Sequence, residues 1–129
     1  MGDKSTRYER FIGEEEFIIP CKKELFDIET YPLISNQWVS GGDGQTSSSA
    51  NYDRSDFIPF EGLDGCEITL NKRPGGHNPG IAFYSTNNLN GFISGVKNAN
   101  GIANTPMTVK VPSGTKYIRF TVPHGATDV

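Results

Sequence analysis

The chain has 129 residues and a formal net charge of -3, which is enough for one hydrophobic core and too little for a second. That acidic balance lacks the positive field that a phosphate backbone or an anionic lipid surface requires, so nucleic acid is not an expected partner. No apolar run approaches the roughly 20 residues that span a bilayer, and stretches such as Phe17 to Ile19 are only a few residues long, so membrane insertion is not expected either.

Met1 to Arg10 is polar and charged, without the apolar core of a signal peptide. Any export signal is therefore expected to have been removed or to lie upstream in a longer parent. The next stretch mixes Glu14, Glu15 and Glu16 with Phe11, Ile12, Phe17, Ile18 and Ile19, and Pro20 stops any helix there. Residues 1–23 are read as a linker, an extra edge strand or a short oligomerisation segment, and residues 24–129 as the folded domain. Two cysteines, Cys21 and Cys66, fall far short of a disulfide scaffold and do not set the compartment. A bridge between them competes with a buried free thiol, and Cys66 favours the second because it opens the apolar alternation Cys66, Ile68, Leu70.

Glycine and proline are scattered between short apolar segments, the pattern of an all-β domain with many turns and little helix. A weak first strand is expected at Ser35 to Ser40, followed by the turn Gly41-Gly42-Asp43-Gly44. Gln45 to Asn51 is too hydrophilic to pack and reads as a surface loop. Stronger strands are expected at Asp56 to Phe60, Cys66 to Asn71, Gly80 to Thr86, Gly91 to Val96, Met107 to Val111 and Lys116 to Val122. Turn signals such as Arg73-Pro74-Gly75-Gly76 and Pro112-Ser113-Gly114 separate them. This spacing favours an antiparallel β-sandwich of jelly-roll type, with seven or eight strands, over a βαβ fold.

Alternation assigns the faces, because successive strand side chains point to opposite sides of a sheet. Cys66, Ile68, Leu70, Ile81, Phe83, Met107, Val109, Val111, Ile118, Phe120 and Val122 form the expected core between two sheets. Glu67, Thr69, Tyr84, Thr108, Lys110, Tyr117, Arg119 and Thr121 fall on the outer faces, free for ligand or water.

Three stretches in order carry a family resemblance: Leu25-Phe26-Asp27, Ser55-Asp56-Phe57-Ile58-Pro59-Phe60, and the closing run from Val111 to Phe120. Between them lie Phe83-Tyr84-Ser85-Thr86-Asn87 and Phe92-Ile93-Ser94. From Glu24 to Pro123 the chain resembles a carbohydrate-binding-module-like accessory domain that recurs in phage and prophage tail proteins and in secreted enzymes of gut bacteria. The resemblance implies a jelly-roll-like sandwich appended to other domains of a parent protein. Ser85 departs from it, standing where that domain often carries Asp.

Six residues are candidate ligand contacts. Trp38, the only tryptophan, either offers an indole face to a sugar ring or caps the core at a sandwich end. Tyr52 offers a ring with a polar tip, or merely anchors its loop. Tyr84, Tyr117 and Arg119 lie together on the outer face, where Arg119 supplies planar donors for hydroxyls or a sugar carboxylate; the alternative is that Arg119 stacks on tyrosine and pairs with Glu67 or Asp56. His77, in a Gly-rich turn, projects outward beside Asn78 and otherwise is simply a solvated loop histidine.

No zinc site is expected, because neither a second histidine nor a cysteine pair stands at ligand spacing. Asp43, Asp53, Asp56 and Asp64 are hard oxygen donors, so any ion they hold is expected to be a structural calcium. There is no G-x-S-x-G elbow, phosphate loop or H-E-x-x-H motif, and nothing places Glu61 and Glu67 about a scissile bond. The expectation is a non-catalytic module that targets a larger extracellular enzyme or phage tail protein to a polysaccharide or cell-surface glycan. It would act outside the cell, at a cell surface, or on a virion tail. The alternative is a structural or oligomerisation module of a tail or baseplate that binds no sugar.

Overall fold

A computed structural model describes residues 28–98, 101–127 and 129. The segment 1–23, Cys21 and the Leu25-Phe26-Asp27 element lie outside the described residues. Eight strands follow in order: β1 (Ile34–Val39), β2 (Thr46–Arg54), β3 (Ile58–Pro59), β4 (Glu67–Leu70), β5 (Gly80–Tyr84), β6 (Phe92–Lys97), β7 (Met107–Lys110) and β8 (Tyr117–Pro123). The only helix among the described residues is a three-residue 3-10 turn, Leu89–Gly91, capped by the Asn88 side chain. The domain is all-β and antiparallel, as its turn-rich sequence implies.

Six strands form one sheet in the order β1-β2-β8-β5-β6, with β3 paired to β8, and β4 and β7 form a second layer. The core fills the space between the layers. Ile58, Ile81, Phe83, Ile118, Phe120 and Val122 from the large sheet meet Leu70, Met107 and Val109 from the small one. This is the expected inner face, and the small sheet alternates accordingly: Glu67, Thr69, Thr108 and Lys110 are exposed. Thr69 and Thr108 share a hydroxyl hydrogen bond across the strands at 2.9 Å.

Two expectations are corrected. The polar stretch Gln45 to Asn51 is not a loop: from Thr46 onward it is strand β2, paired first with β1 and then, at Tyr52 to Arg54, with β8. Thr46, Ser47 and Ser48 stay exposed and Ser49 half-buried because they lie on a hairpin that faces water, so low hydropathy marked solvent contact and not the absence of a ladder. Cys66 is disulfide-bonded and not the free thiol its apolar setting suggested. The sequence contains one other cysteine, Cys21.

The outer face of the large sheet is not left to water. The tip of the β1–β2 hairpin folds back across it and makes a second, smaller core of Val39, Ala82 and Tyr84, flanked by Phe57, Phe92 and Tyr117. Thr121 pins the tip: its hydroxyl accepts from the Val39 N–H at 2.9 Å and donates to the Val39 carbonyl at 3.1 Å. Gly41 N–H donates to the Asn78 carbonyl at 3.0 Å on the other side. Close approach demands glycine here, since a Cβ on Gly95 would lie 2.7 Å from the Ile81 carbonyl oxygen and closer still to that of Gly41.

Candidate functional site: a groove above Arg119

Beneath the hairpin tip lies a buried polar network centred on Arg119. Strand β8 carries Arg119 on the same face as Thr121, opposite Ala82 of β5, and Tyr84 is two residues further along β5. Arg119 Nε donates to the Tyr84 hydroxyl at 3.0 Å, and Nη2 donates to the Gly44 carbonyl at 2.7 Å. The Tyr84 hydroxyl donates to the same carbonyl at 2.7 Å. Gly44 has a φ of +75°, and a Cβ there would stand 3.0 Å from the Tyr84 oxygen, so the turn that presents this carbonyl requires glycine. The guanidinium carbon lies 4.1 Å from the Phe57 ring centroid and 5.0 Å from that of Tyr84. Tyr84 in turn meets Phe57 and Phe92 edge-on, with centroids 4.8 and 5.9 Å away.

This arrangement corrects the outer-face expectation for two of the candidate ligand contacts, as the burial of Thr121 does for a third outer-face residue. Tyr84 is 0% exposed and Arg119 only 7%, so Tyr84 is a second-layer support and cannot stack on a ligand itself. Desolvation pushes the Tyr84 hydroxyl pKa up, against the opposing pull of Arg119, and the group is a neutral donor at neutral pH. Arg119 does stack on aromatic rings, but it makes no ion pair with Glu67 or Asp56. Glu67 belongs to the other sheet, and Asp56 accepts from the Phe57 N–H at 2.9 Å.

Above Arg119 opens a groove of about 390 Å3, lined by Gln45, Thr46, Phe57, Asn87, Asn88, Leu89 and Arg119. The hairpin tip supplies one wall and the β5–β6 connection the other. Asn88 is held by its own Oδ1, which accepts from the Asn90 N–H at 2.9 Å and the Thr86 hydroxyl at 3.1 Å. Arg54, diagonal to Arg119 on β2, donates to the Gln37 side chain and to the Ser55 carbonyl. Its pKa is lowered by burial and by the Arg119 charge, partly offset by Asp56 and Tyr84. A second void of about 60 Å3 lies between the two sheets, walled by core residues such as Ile58, Ile81 and Phe120; it is apolar packing space and holds no chemistry.

The other candidates gather elsewhere. Trp38 and Tyr52 are both half-buried, with ring centroids 6.3 Å apart. The Tyr52 hydroxyl donates to the Gly75 carbonyl at 3.1 Å, tying this aromatic pair to the loop that carries the exposed His77. Tyr117 is half-buried at the margin of the second core. The four aspartates do not converge: Asp43 accepts from the Gln45 N–H, Asp56 from Phe57, Asp64 from Gly114, and Asp53 from Asn36 and Gly125. Among the described residues no group of three or more His, Cys, Asp or Glu side chains is placed to hold a metal ion.

Gln45, Thr46, Asn87, Asn88 and Leu89 were not among the sequence candidates. Asn87 closes the Phe83 to Asn87 stretch of the resemblance, the other four sit in a turn or hairpin with no motif of their own, and only the fold brings the five to one place. Phe57 was visible as the aromatic of the Ser55 to Phe60 stretch, without a sign that its ring would meet Arg119. No family model, curated protein or solved structure matches this chain.

Proposed function

We propose that this domain is a non-catalytic carbohydrate-binding module that targets a larger extracellular enzyme or phage tail protein to a polysaccharide or cell-surface glycan. The groove above Arg119 is the observation that supports this reading. It combines the half-buried ring of Phe57 with three amide side chains, Gln45, Asn87 and Asn88, and a guanidinium. Each amide both donates and accepts, as a sugar hydroxyl does, and an aromatic ring packs against the C–H surface of a pyranose. Its volume falls in the range of small-ligand clefts, about 300–1,000 Å3. The Trp38–Tyr52 pair offers a second aromatic surface of the same kind.

The Cys66 disulfide accords with an oxidising, extracellular setting. The order β8-β5-β6 facing β4-β7 accords with half of a jelly-roll winding. One shallow groove gives weak affinity, which several copies in a parent assembly would raise. A glycan array and affinity electrophoresis on plant, mucin and bacterial surface polysaccharides test the reading. Retention is expected on at least one class, weakened by Gln45→Ala or Asn87→Ala with the melting temperature unchanged. No retention on any of them would remove the proposal and leave the structural-module alternative, which a stable trimer at micromolar concentration would favour.

A further inference from the structure

Arg119 keeps part of its guanidinium without a protein acceptor. Nε and Nη2 are engaged by Tyr84 and Gly44, and among the described residues no group accepts from Nη1. Nη1 is not sealed in either, since the only sealed side-chain nitrogen or oxygen without a partner among the described residues is Arg73 Nε. Nη1 is therefore open to solvent, and Arg119 lines the groove.

A buried charge ordinarily has a counter-ion, because removing it from water is expensive. Neither Arg119 nor Arg54 has one among the described residues, where the ion pairs are Lys116 with Glu61 and His124 with Asp53. The acids whose charge reaches this cluster, Asp56 and Asp43, make no ion pair with either guanidinium among the described residues, and each accepts instead from a backbone N–H, of Phe57 and Gln45 respectively. Two guanidinium groups thus share one face of the sheet, and a polar groove opens over the more deeply buried of them. The chain as a whole carries a formal charge of -3, so an anion would be drawn by local contact and not by the overall field.

We propose that the groove receives a saccharide bearing a carboxylate, of the uronic or sialic acid class, whose carboxylate accepts from Arg119 Nη1 while its hydroxyls meet Gln45, Asn87 and Asn88. This rests on the carbohydrate-binding reading and narrows it to acidic sugars. A carboxylate on a guanidinium makes a charge-assisted hydrogen bond, roughly twice as strong as a neutral one.

The test is calorimetric titration of the full chain with trigalacturonate and sialyllactose, each beside its neutral counterpart, galactotriose and lactose. A sulfated oligosaccharide and an acidic peptide complete the set. At least one acidic sugar is expected to bind about tenfold or more tighter than its neutral partner, from the strength of a hydrogen bond to a charged group. Asn87→Asp, on the exposed groove wall, is expected to collapse that ratio with no change in melting temperature, while Ser48→Asp, adding the same charge on the hairpin away from the groove, preserves it. Arg119→Lys is a second probe, read only if the variant melts cooperatively. Equal affinity for acidic and neutral sugars overturns the carboxylate assignment and leaves the saccharide reading intact. Tighter binding of the sulfated sugar overturns the carboxylate assignment alone, whereas preference for the acidic peptide, or no sugar binding at all, overturns both.

Discussion

Replacing Tyr84 with Phe deletes one oxygen from the most buried polar network of the domain and leaves its packing in place. The ring keeps its edge contacts with Phe57 and Phe92 at 4.8 and 5.9 Å, so no cavity larger than a hydroxyl opens. Two hydrogen bonds are lost: the one accepted from Arg119 Nε at 3.0 Å and the one donated to the Gly44 carbonyl at 2.7 Å. That carbonyl is still served by Arg119 Nη2, so the larger cost falls on the charged Nε, which is left buried and unsatisfied. A hydrogen bond to a charged group contributes about 1.5–3 kcal/mol and a neutral one about 1 kcal/mol, which together put the loss at about 2–4 kcal/mol. For a domain of this size that corresponds to roughly 8–16 °C in melting temperature. Urea unfolding followed by Trp38 fluorescence and by far-ultraviolet circular dichroism reads it directly, with a lower midpoint and an unchanged slope. A loss below about 0.5 kcal/mol, the level of an ordinary surface substitution, would mean that water reaches the Tyr84 oxygen and that the hairpin tip does not seal the second core.

Three further perturbations probe other parts of the fold. The Asp53 carboxyl is pushed up by burial, but hydrogen bonds from Gly125 N–H, His124 and Asn36 N–H outweigh this and hold its pKa below the ordinary 3.8. Its contribution to stability is therefore complete above the unfolded value and lost as pH falls through the folded one; in Asp53→Asn the urea midpoint should be lower at neutral pH and show a shallower decline below about pH 4. Gly95→Ala should cost about 2–3 kcal/mol by forcing a methyl group against the Gly41 and Ile81 carbonyls. Gly62→Ala, at φ +84° with open space around it, should cost only about 1 kcal/mol, and equal losses at the two sites would contradict the close approach of hairpin and sheet. Non-reducing peptide mapping should find Cys66 cross-linked to Cys21, and reduction should destabilise the domain by about 2–5 kcal/mol; a free Cys66 thiol in the native protein would refute this.

The inner core was legible because its signal is local. Ile118, Phe120 and Val122 alternate with polar neighbours, as do Met107 and Val109, and a period of two needs only two layers to explain it. The outer face was not legible for a physical reason. Arg119, Thr121 and Tyr84 are buried through hydrogen bonds to the backbone of Gly44 and Val39, far away in sequence, and a buried polar group satisfied by a distant carbonyl leaves no apolar mark. One clue did stand in the sequence: Gly80-Ile81-Ala82-Phe83-Tyr84 is a continuous apolar run, which signals a strand covered on both faces, and all five residues are buried. Strand β2 was obscured by the opposite effect, since a hairpin strand facing water on most positions shows hydroxyls where a buried strand shows branched aliphatics. The groove itself joins positions 45 and 46 to 87, 88 and 89, and no spacing rule connects two turns that meet only after the hairpin has folded over.

The groove divides its labour between framework and loops. Arg119 and Phe57 are locked into the body of the domain, while Gln45, Thr46, Asn87 and Leu89 sit exposed on the β1–β2 hairpin and the β5–β6 connection, which bear none of the inner core. An unchanging cationic floor beneath interchangeable walls is the layout of a selectable scaffold. Randomising those four wall positions should yield variants with new ligand preferences from one parent, at little expense in folding yield.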